Sequence, residues 1–118
     1  MPGEAQNVIE RFWAVQDSGD YTRLVDLFAE DAVIEDPVYG TYRGREEIRA
    51  FMTKMVAVMG EMKITFTLDE VCGDEHAVWS RWTMHSPAGS RGGCGIYKVR
   101  GGKLTYYRDY MDPAESEA

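Results

Sequence analysis

The sequence predicts an α+β fold: a cone-shaped, curved, mainly antiparallel (mixed) β-sheet covered by three helices from the N-terminal half. Two observations support this fold. Apolar residues recur at intervals of three and four in the first half and alternate at intervals of two in the second half. Short turns separate the later segments, which is typical of antiparallel hairpins. Because a curved sheet under helices leaves a hollow, we expect a ligand cavity inside the cone.

The three predicted helices cover residues 4–17, 20–28 and 45–59, with a short strand at residues 32–36 between the second and third. In the first helix, Ala5, Val8 and Phe12 share one face, which we expect to be buried. The segment "YGTYRG" that follows the short strand is predicted as a loop. Glycine and turn-forming residues of this kind usually interrupt regular structure.

Four further strands are predicted at residues 62–72, 76–86, 93–99 and 104–111. They are rich in β-branched and aromatic residues, and the turns "GDEH", "SPAGSRGG" and "RGGK" separate them. The glycine-rich segment "RGGCG" at residues 91–95 lacks the spacing of a phosphate-binding loop, so we interpret it as a turn and a sheet bend.

The chain of 118 residues is expected to form one domain, 1–118, with an ordered core at about 4–113 and an acidic C-terminal tail. Its net charge of −7, without a stripe of lysine and arginine, argues against a nucleic-acid partner. No apolar run is long enough for a membrane span, and "MPGEAQ" does not resemble a signal peptide. We therefore expect a cytoplasmic protein without a membrane partner.

The two cysteines, Cys72 and Cys94, have neither a CxxC spacing nor a nearby histidine cluster. Metal sites made by cysteine normally need several such ligands. We therefore expect two reduced thiols and no metal site.

Alternation sorts the strand residues into faces. Asp109 shares a face with Tyr107, whereas Arg81 belongs to the face of strand 76–86 that also carries Trp79 and Thr83. Neither strand has a purely polar face, so both faces of the sheet should be covered, one by helices and the other by loops or a second subunit. Because isolated buried charges are costly, we expect Arg81 to pair with Asp109.

Two aspartates are candidate functional residues, and each has a structural alternative. Asp36 ends a strand and precedes Pro37, which favours an extended conformation for Asp36. Asp36 is either a turn residue or a residue that points into a pocket. Asp109 lies within a strand, where aspartate is unfavourable. The pair of Asp109 and Arg81 is either a structural ion pair or a pocket carboxylate whose pKa is tuned for proton transfer.

The segment "LVDLFAEDAVIEDPVYGTYRGREEIRAFM" resembles the SnoaL-like group of the nuclear transport factor 2-like superfamily. The resemblance extends over about residues 4–113 and implies an α+β cone around a ligand cavity. It implies less about the reaction, because this fold supports isomerases, cyclases, hydrolases and proteins without enzymatic activity.

Within this superfamily, "VIERFWAVQDSGD" and "IEDPVYG" are similar to ketosteroid isomerases, a resemblance that implies Asp36 as the catalytic base. The two positions that supply oxyanion donors in those enzymes carry Phe12 and Gly95. Neither residue can donate a side-chain hydrogen bond, which disfavours the standard isomerase mechanism.

The segment "GIYKVRGGKLTYYRDYMDP" is similar to the closing hairpin of limonene-epoxide hydrolases. That resemblance implies Asp109 as the acid/base carboxylate, Tyr107 as the adjacent aromatic wall and Arg81 as the bridging arginine, while Thr83 replaces a second aspartate. The resemblance to SnoaL-type polyketide cyclases implies instead that a single aspartate carries out the proton transfers. Asp109 with Arg81 fits that role, and Asp36 and His85 are secondary candidates.

The leading hypothesis is a cofactor-independent enzyme that acts on a small hydrophobic molecule by carboxylate acid/base chemistry, as a polyketide cyclase or an epoxide-hydrolase-like enzyme. The alternatives are an isomerase with Asp36 as base, and a non-catalytic ligand-binding or dimerisation module. A homodimer is expected through an outer sheet face bearing Trp82, Tyr106 and Tyr110. The predicted substrate-binding residues are Phe12, Trp13, Met52, Met55, Trp79, Thr83, His85, Tyr97, Tyr107 and Met111.

Overall fold

A computed structural model describes residues 3–18 and 23–112, with only the backbone at 17 and 18. In this part of the chain, two α-helices accompany one six-stranded sheet. The helices are α1 (Glu4–Ser18) and α2 (Gly44–Met62). The strands are β1 (Phe28–Asp36), β2 (Gly40–Arg43), β3 (Thr65–Gly73), β4 (Ala77–Ser86), β5 (Gly89–Arg100) and β6 (Lys103–Met111).

The strand order is β2-β1-β6-β5-β4-β3. β1 pairs in parallel with β6, and every other neighbouring pair is antiparallel. The predicted α+β class and the mixed, curved sheet are therefore confirmed, and the sheet stays open rather than closing into a barrel.

The prediction of three helices is wrong in the described residues. The second predicted helix, 20–28, lies partly outside them, and its described part contains only a short 3-10 turn, Val25–Leu27. Phe28 already begins β1, which is longer than predicted because β2 and β6 both supply hydrogen-bonding partners to it. The segment predicted as a loop forms β2.

The core lies between the two helices and the inner face of the sheet. On β4 the buried residues Val78, Ser80 and Trp82 alternate with Trp79, whose exposed fraction is 44%. The prediction that Trp82 lies on the outer face is therefore wrong: only 4% of Trp82 is exposed, whereas Tyr106 and Tyr110 do lie on the outer side. The outer face of the sheet is the one opposite the helices.

None of the described helices combines the length and apolar character that a membrane-spanning helix needs.

Candidate functional site

A small cavity of about 90 Å³ lies between α1, α2 and the inner face of the sheet. It combines aromatic, methionine and carboxylate side chains, which come from both helices and from β1, β3, β4 and β6. The lining residues are Phe12, Trp13, Gln16, Ile34, Asp36, Phe51, Met52, Met55, Met59, Phe66, Trp82, Tyr107 and Asp109. The cavity therefore brings the two candidate aspartates together in an otherwise mainly apolar site.

Asp109 lies on β6, directly opposite Gly95 of β5. Its Oδ2 atom accepts a hydrogen bond of 2.8 Å from the Tyr107 hydroxyl group, and its Oδ1 atom is buried without a hydrogen-bond partner. Burial raises the pKa of Asp109 from 3.8 to about 7. This net value already includes a smaller increase from the charge of Asp36 and decreases from the hydrogen-bond donors Tyr107 and Trp82.

Asp36 is both a turn residue and a cavity residue, the two alternatives that the sequence left open. Its Oδ1 atom accepts hydrogen bonds from the backbone N–H groups of Val38 (2.8 Å) and Tyr39 (2.9 Å), which is the geometry of a turn-forming aspartate. The same residue lines the cavity. The turn therefore fixes the carboxylate of Asp36 at the cavity edge.

A buried aromatic cluster supports Asp109. The ring of Tyr107 stacks on the ring of Tyr97 at a centroid distance of 4.7 Å and meets the edge of Phe12 at 5.6 Å. The Tyr97 hydroxyl group accepts a hydrogen bond of 3.3 Å from Trp13 Nε1 and lies 2.7 Å from Ser80 Oγ. Burial, more than any other effect, raises the pKa of Tyr107 well above its usual value, so this phenol remains a hydrogen-bond donor at neutral pH.

The expected ion pair between Arg81 and Asp109 is wrong. Arg81 donates two hydrogen bonds to Asp112, of 3.2 Å from Nη1 and 2.7 Å from Nη2. The register gives the reason: Arg81 lies opposite Cys94, whereas Asp109 lies opposite Gly95. Because successive residues of a strand point to opposite faces, Arg81 and Asp109 are on different sides of the sheet.

Three predicted substrate-binding residues share the outer face with Arg81 and do not line the cavity: Trp79, Thr83 and His85. Thr83 donates a hydrogen bond of 2.6 Å to Asp69. The ring nitrogens of His85 lie 2.8 Å from Thr67 Oγ1 and 3.2 Å from Ser90 Oγ. The prediction that Trp79, Thr83 and His85 line the cavity is therefore wrong.

The remaining predicted binding residues lie on the helix-covered side of the sheet. Phe12, Trp13, Met52, Met55 and Tyr107 line the cavity. Tyr97 is fully buried and Met111 packs against the core, but neither is among the lining residues.

Sequence reasoning did not identify Trp82 as a cavity residue, although a signal for it was present in "RGGCG". This segment lies inside β5, not in a turn. A Cβ atom on Gly93 would lie 2.3 Å from Trp82 Cη2, and one on Gly95 would lie 2.7 Å from the Tyr97 hydroxyl oxygen and 3.1 Å from Asp109 Oδ1. The two glycines therefore leave the space that the Trp82 indole and the Asp109 carboxyl group occupy.

Gln16, Ile34, Phe51, Met59 and Phe66 are the other cavity residues absent from the predicted set. Their apolar or amide side chains carry no sequence motif, and only the packing of α1 and α2 on the sheet identifies them. Within the described part of the chain, no three histidine, cysteine or acidic side chains cluster as metal ligands would. Cys72 and Cys94 are free thiols.

Several solved structures share this architecture. A candidate ketosteroid isomerase from Kribbella flavida is 14% identical, with a TM-score of 0.81 over 94% of this chain and 79% of the other. An LEH-like epoxide hydrolase from M. tuberculosis is 21% identical, with a TM-score of 0.74 over 92% and 83% of the two chains. A candidate polyketide cyclase from Sinorhizobium meliloti is 17% identical, with a TM-score of 0.75 over 88% and 94%.

At these identities the structural similarity shows the fold alone. No curated protein matches the sequence. The family model of the SnoaL-like domain matches residues 9–107, which is most of the chain. The chain therefore belongs to the SnoaL-like domain family and has the nuclear transport factor 2-like fold, whose members include cyclases, epoxide hydrolases and isomerases.

Proposed function

We propose that the protein is an acid/base enzyme that transfers a proton on a small hydrophobic carbonyl compound, with Asp109 as the group that removes and returns the proton. One observation supports this proposal above all: a carboxyl group with one unpartnered oxygen lies in a mainly apolar cavity. Carboxylates are normally paired or solvated, so a buried and only half-satisfied one is typical of a functional site.

The pKa of about 7 suits this role. A general base works best when its pKa is near the working pH, because a useful fraction is ionised and its basicity is still high. The Asp109 carboxylate would take a proton from the carbon next to a carbonyl group. The C–H electron pair would then form a C=C bond, and the carbonyl π pair would move onto the oxygen to give an enolate. No cofactor is needed, since the carbonyl oxygen accepts the charge.

Two outcomes of this enolate belong to the same proposal. In an aldol cyclisation the enolate carbon attacks a second carbonyl group of the same molecule, and the resulting alkoxide receives the proton from Asp109. In an isomerisation, Asp109 returns the proton to a different carbon. We favour cyclisation because one acid/base carboxyl group is sufficient for it, and we keep an isomerase that uses Asp36 as base as the alternative.

An epoxide-hydrolase-like reaction receives less support from the site. The resemblance to limonene-epoxide hydrolases implies a water-activating relay in which Arg81 bridges two carboxyl groups. Arg81 and Thr83 are on the outer face, where they bond to Asp112 and Asp69. The relay is therefore not assembled at this cavity.

The cavity also limits the substrate. Its volume of about 90 Å³ is smaller than the engineered apolar cavity of about 150 Å³ that accommodates benzene. One end of a longer molecule fits, and a ring requires the methionines Met52, Met55 and Met59 to change conformation. Methionine side chains do this readily.

We also propose a cytoplasmic homodimer through the outer sheet face, where Trp79, Ile96 and Tyr110 expose between 38% and 44% of their surface. Aromatic residues exposed on a sheet are enriched at protein interfaces. Sedimentation equilibrium should give twice the chain mass, and Ile96→Glu should give the mass of one chain. A monomeric wild type would exclude this interface.

Exchange of α-protons for deuterium tests the proposed reaction without knowledge of the natural substrate. Small cyclic ketones and β-diketones in D₂O should exchange faster with the wild-type protein, and Asp109→Asn should abolish the acceleration. Asp112→Asn, which removes a carboxylate outside the cavity, is the matched control and should retain it. Equal exchange by wild type and Asp109→Asn would refute the assignment, and loss only in Asp36→Asn would favour the isomerase alternative.

A further inference from the structure

Trp82 lines the cavity and carries an unusual buried hydrogen-bond donor. Only 4% of the residue is exposed, and its Nε1 atom is buried without a hydrogen-bond partner. An indole N–H can only donate, and leaving a buried donor unsatisfied is unfavourable. Buried polar groups in native proteins almost always have a partner, so a group that binds here should supply an acceptor.

The surroundings of Trp82 hold its ring in one place. Phe66 packs its ring edge-on against the indole at a centroid distance of 5.4 Å and an interplanar angle of 81°. On the other side, a Cβ atom on Gly93 would lie 2.3 Å from Cη2 and 2.5 Å from Cζ2 of Trp82. The indole therefore lies across the backbone of β5 and extends towards β6, the strand that carries Asp109.

The second unpartnered buried atom of this site is Asp109 Oδ1. The indole N–H lies close enough to Asp109 to lower its pKa as a hydrogen-bond donor would, although the two atoms fall outside good hydrogen-bond geometry. A donor and a carboxylate oxygen, each without a well-formed hydrogen bond, thus lie near each other in the wall of one cavity. Enolisation needs this arrangement, because the carbonyl oxygen and the acidic carbon of a ketone are only two bonds apart.

We infer that Trp82 Nε1 donates a hydrogen bond to the carbonyl oxygen of the substrate, while Asp109 Oδ1 faces the adjacent carbon; this inference rests on the proposed function. As Asp109 takes the proton, the C–H electron pair forms the C=C bond and the carbonyl π pair moves onto the oxygen. The indole N–H stabilises the charge that develops there. Trp82 thereby selects ketones over hydrocarbons of the same shape, because only a ketone satisfies its donor.

The test compares cyclopentanone with methylenecyclopentane, in which a CH₂ group replaces the carbonyl oxygen. In ¹⁵N-labelled wild-type protein, the indole N–H signal of Trp82 should move downfield with cyclopentanone and not with methylenecyclopentane. Trp13→Phe and Trp79→Phe assign the signal by elimination, so the measurement does not depend on the folding of a Trp82 variant. Trp82→Phe should lose about threefold to tenfold in affinity for cyclopentanone and nothing for methylenecyclopentane.

Deuterium exchange of cyclopentanone separates this inference from the proposed function. Trp82→Phe should lower the exchange rate by about 100-fold, and Trp79→Phe, the same change on the outer face, should leave it unaltered. If the wild type binds the ketone through Trp82 but catalyses no exchange, the proposed function fails and the carbonyl site stands. If the Trp82 signal responds only to titration of Asp109, or the protein shows no preference for the ketone, the inference is overturned.

Discussion

The hydroxyl group of Tyr107 lies 2.8 Å from Oδ2 of Asp109, two residues further along the same face of β6. This hydrogen bond occupies one carboxyl oxygen, and the other, Oδ1, is buried without a partner. Burial raises the pKa of Asp109, and the hydrogen bond from Tyr107 partly offsets the increase. Together they hold the carboxyl group in one orientation with a pKa near neutrality.

Tyr107→Phe should therefore raise the pKa of Asp109 above about 7. The lost hydrogen bond stabilises the carboxylate form, and hydrogen bonds to charged groups correspond to about one pKa unit or slightly more. Titration of the ¹³C-labelled carboxyl carbon by NMR measures this change. Tyr110→Phe, on the outer face, is the matched control, and an unchanged or lower pKa in Tyr107→Phe would contradict the role of the phenol.

The stability of the protein should fall as the pH rises from about 4 to about 7. The pKa of Asp109 is about 7 in the folded protein and close to 3.8 in the unfolded chain, so the folded state binds a proton more tightly across this range. The stabilisation from the neutral carboxyl group is complete below about pH 4 and is lost as the pH passes through about 7. It amounts to at most about 4 kcal/mol.

Urea unfolding at pH 5 and pH 8 tests this dependence. Asp109→Asn cannot ionise, so its free energy of unfolding should decrease less than that of the wild type between the two pH values. Parallel decreases in the two proteins would mean that Asp109 is already ionised in the folded state at pH 5.

Arg81→Gln should retain full exchange activity, because its guanidinium group pairs with Asp112 on the outer face and does not reach the cavity. Both partners are about half exposed, so the ion pair is screened by solvent and its loss should change stability little. Rates of α-proton exchange and urea midpoints measure the two effects. A tenfold loss of activity in a folded Arg81→Gln protein would contradict this prediction and indicate that the arginine takes part in the reaction.

Gly93→Ala should destabilise the protein by about 1–3 kcal/mol and abolish activity. The new Cβ atom would lie 2.3 Å from Trp82 Cη2 and 2.7 Å from the Tyr110 backbone oxygen, so the indole must leave its position. Gly92→Ala is a matched control, because its Cβ atom would approach only the side-chain ends of Asp112 (2.8 Å) and Arg81 (2.9 Å). Thermal unfolding and α-proton exchange measure both variants; equal effects would contradict the role of Gly93.

Periodicity predicted the fold class and the strands of the second half because their side chains alternate strongly between faces. It could not predict β2, whose residues Gly40–Arg43 contain turn-forming types and become a strand only because β1 provides hydrogen-bonding partners. It also predicted a helix up to Phe28, where the chain already enters β1. In both places tertiary pairing overrides local propensity.

The site was predicted only in part for a related reason. Alternation correctly grouped Arg81 with Trp79, Thr83 and His85, but it cannot say which group faces the helices. A large aromatic residue and a charged residue lie on each side of the sheet, and only the packing of the helices shows that Trp82 is inside and Arg81 outside. The glycines of β5 indicate close approach of other groups, but Gly93 marks Trp82 on the inner face and Gly92 marks Arg81 on the outer face, so they do not resolve the choice either.

The measurement that tests the central claim most directly is the pH dependence of α-proton exchange, recorded together with the NMR titration of Asp109. The exchange rate should rise as Asp109 loses its proton, and both curves should have the same midpoint, at about pH 7. Asp109→Asn should show no such rise. A carboxyl group that titrates near pH 4, or a rate that does not follow its ionisation, would contradict the assignment of Asp109 as the proton-transferring group.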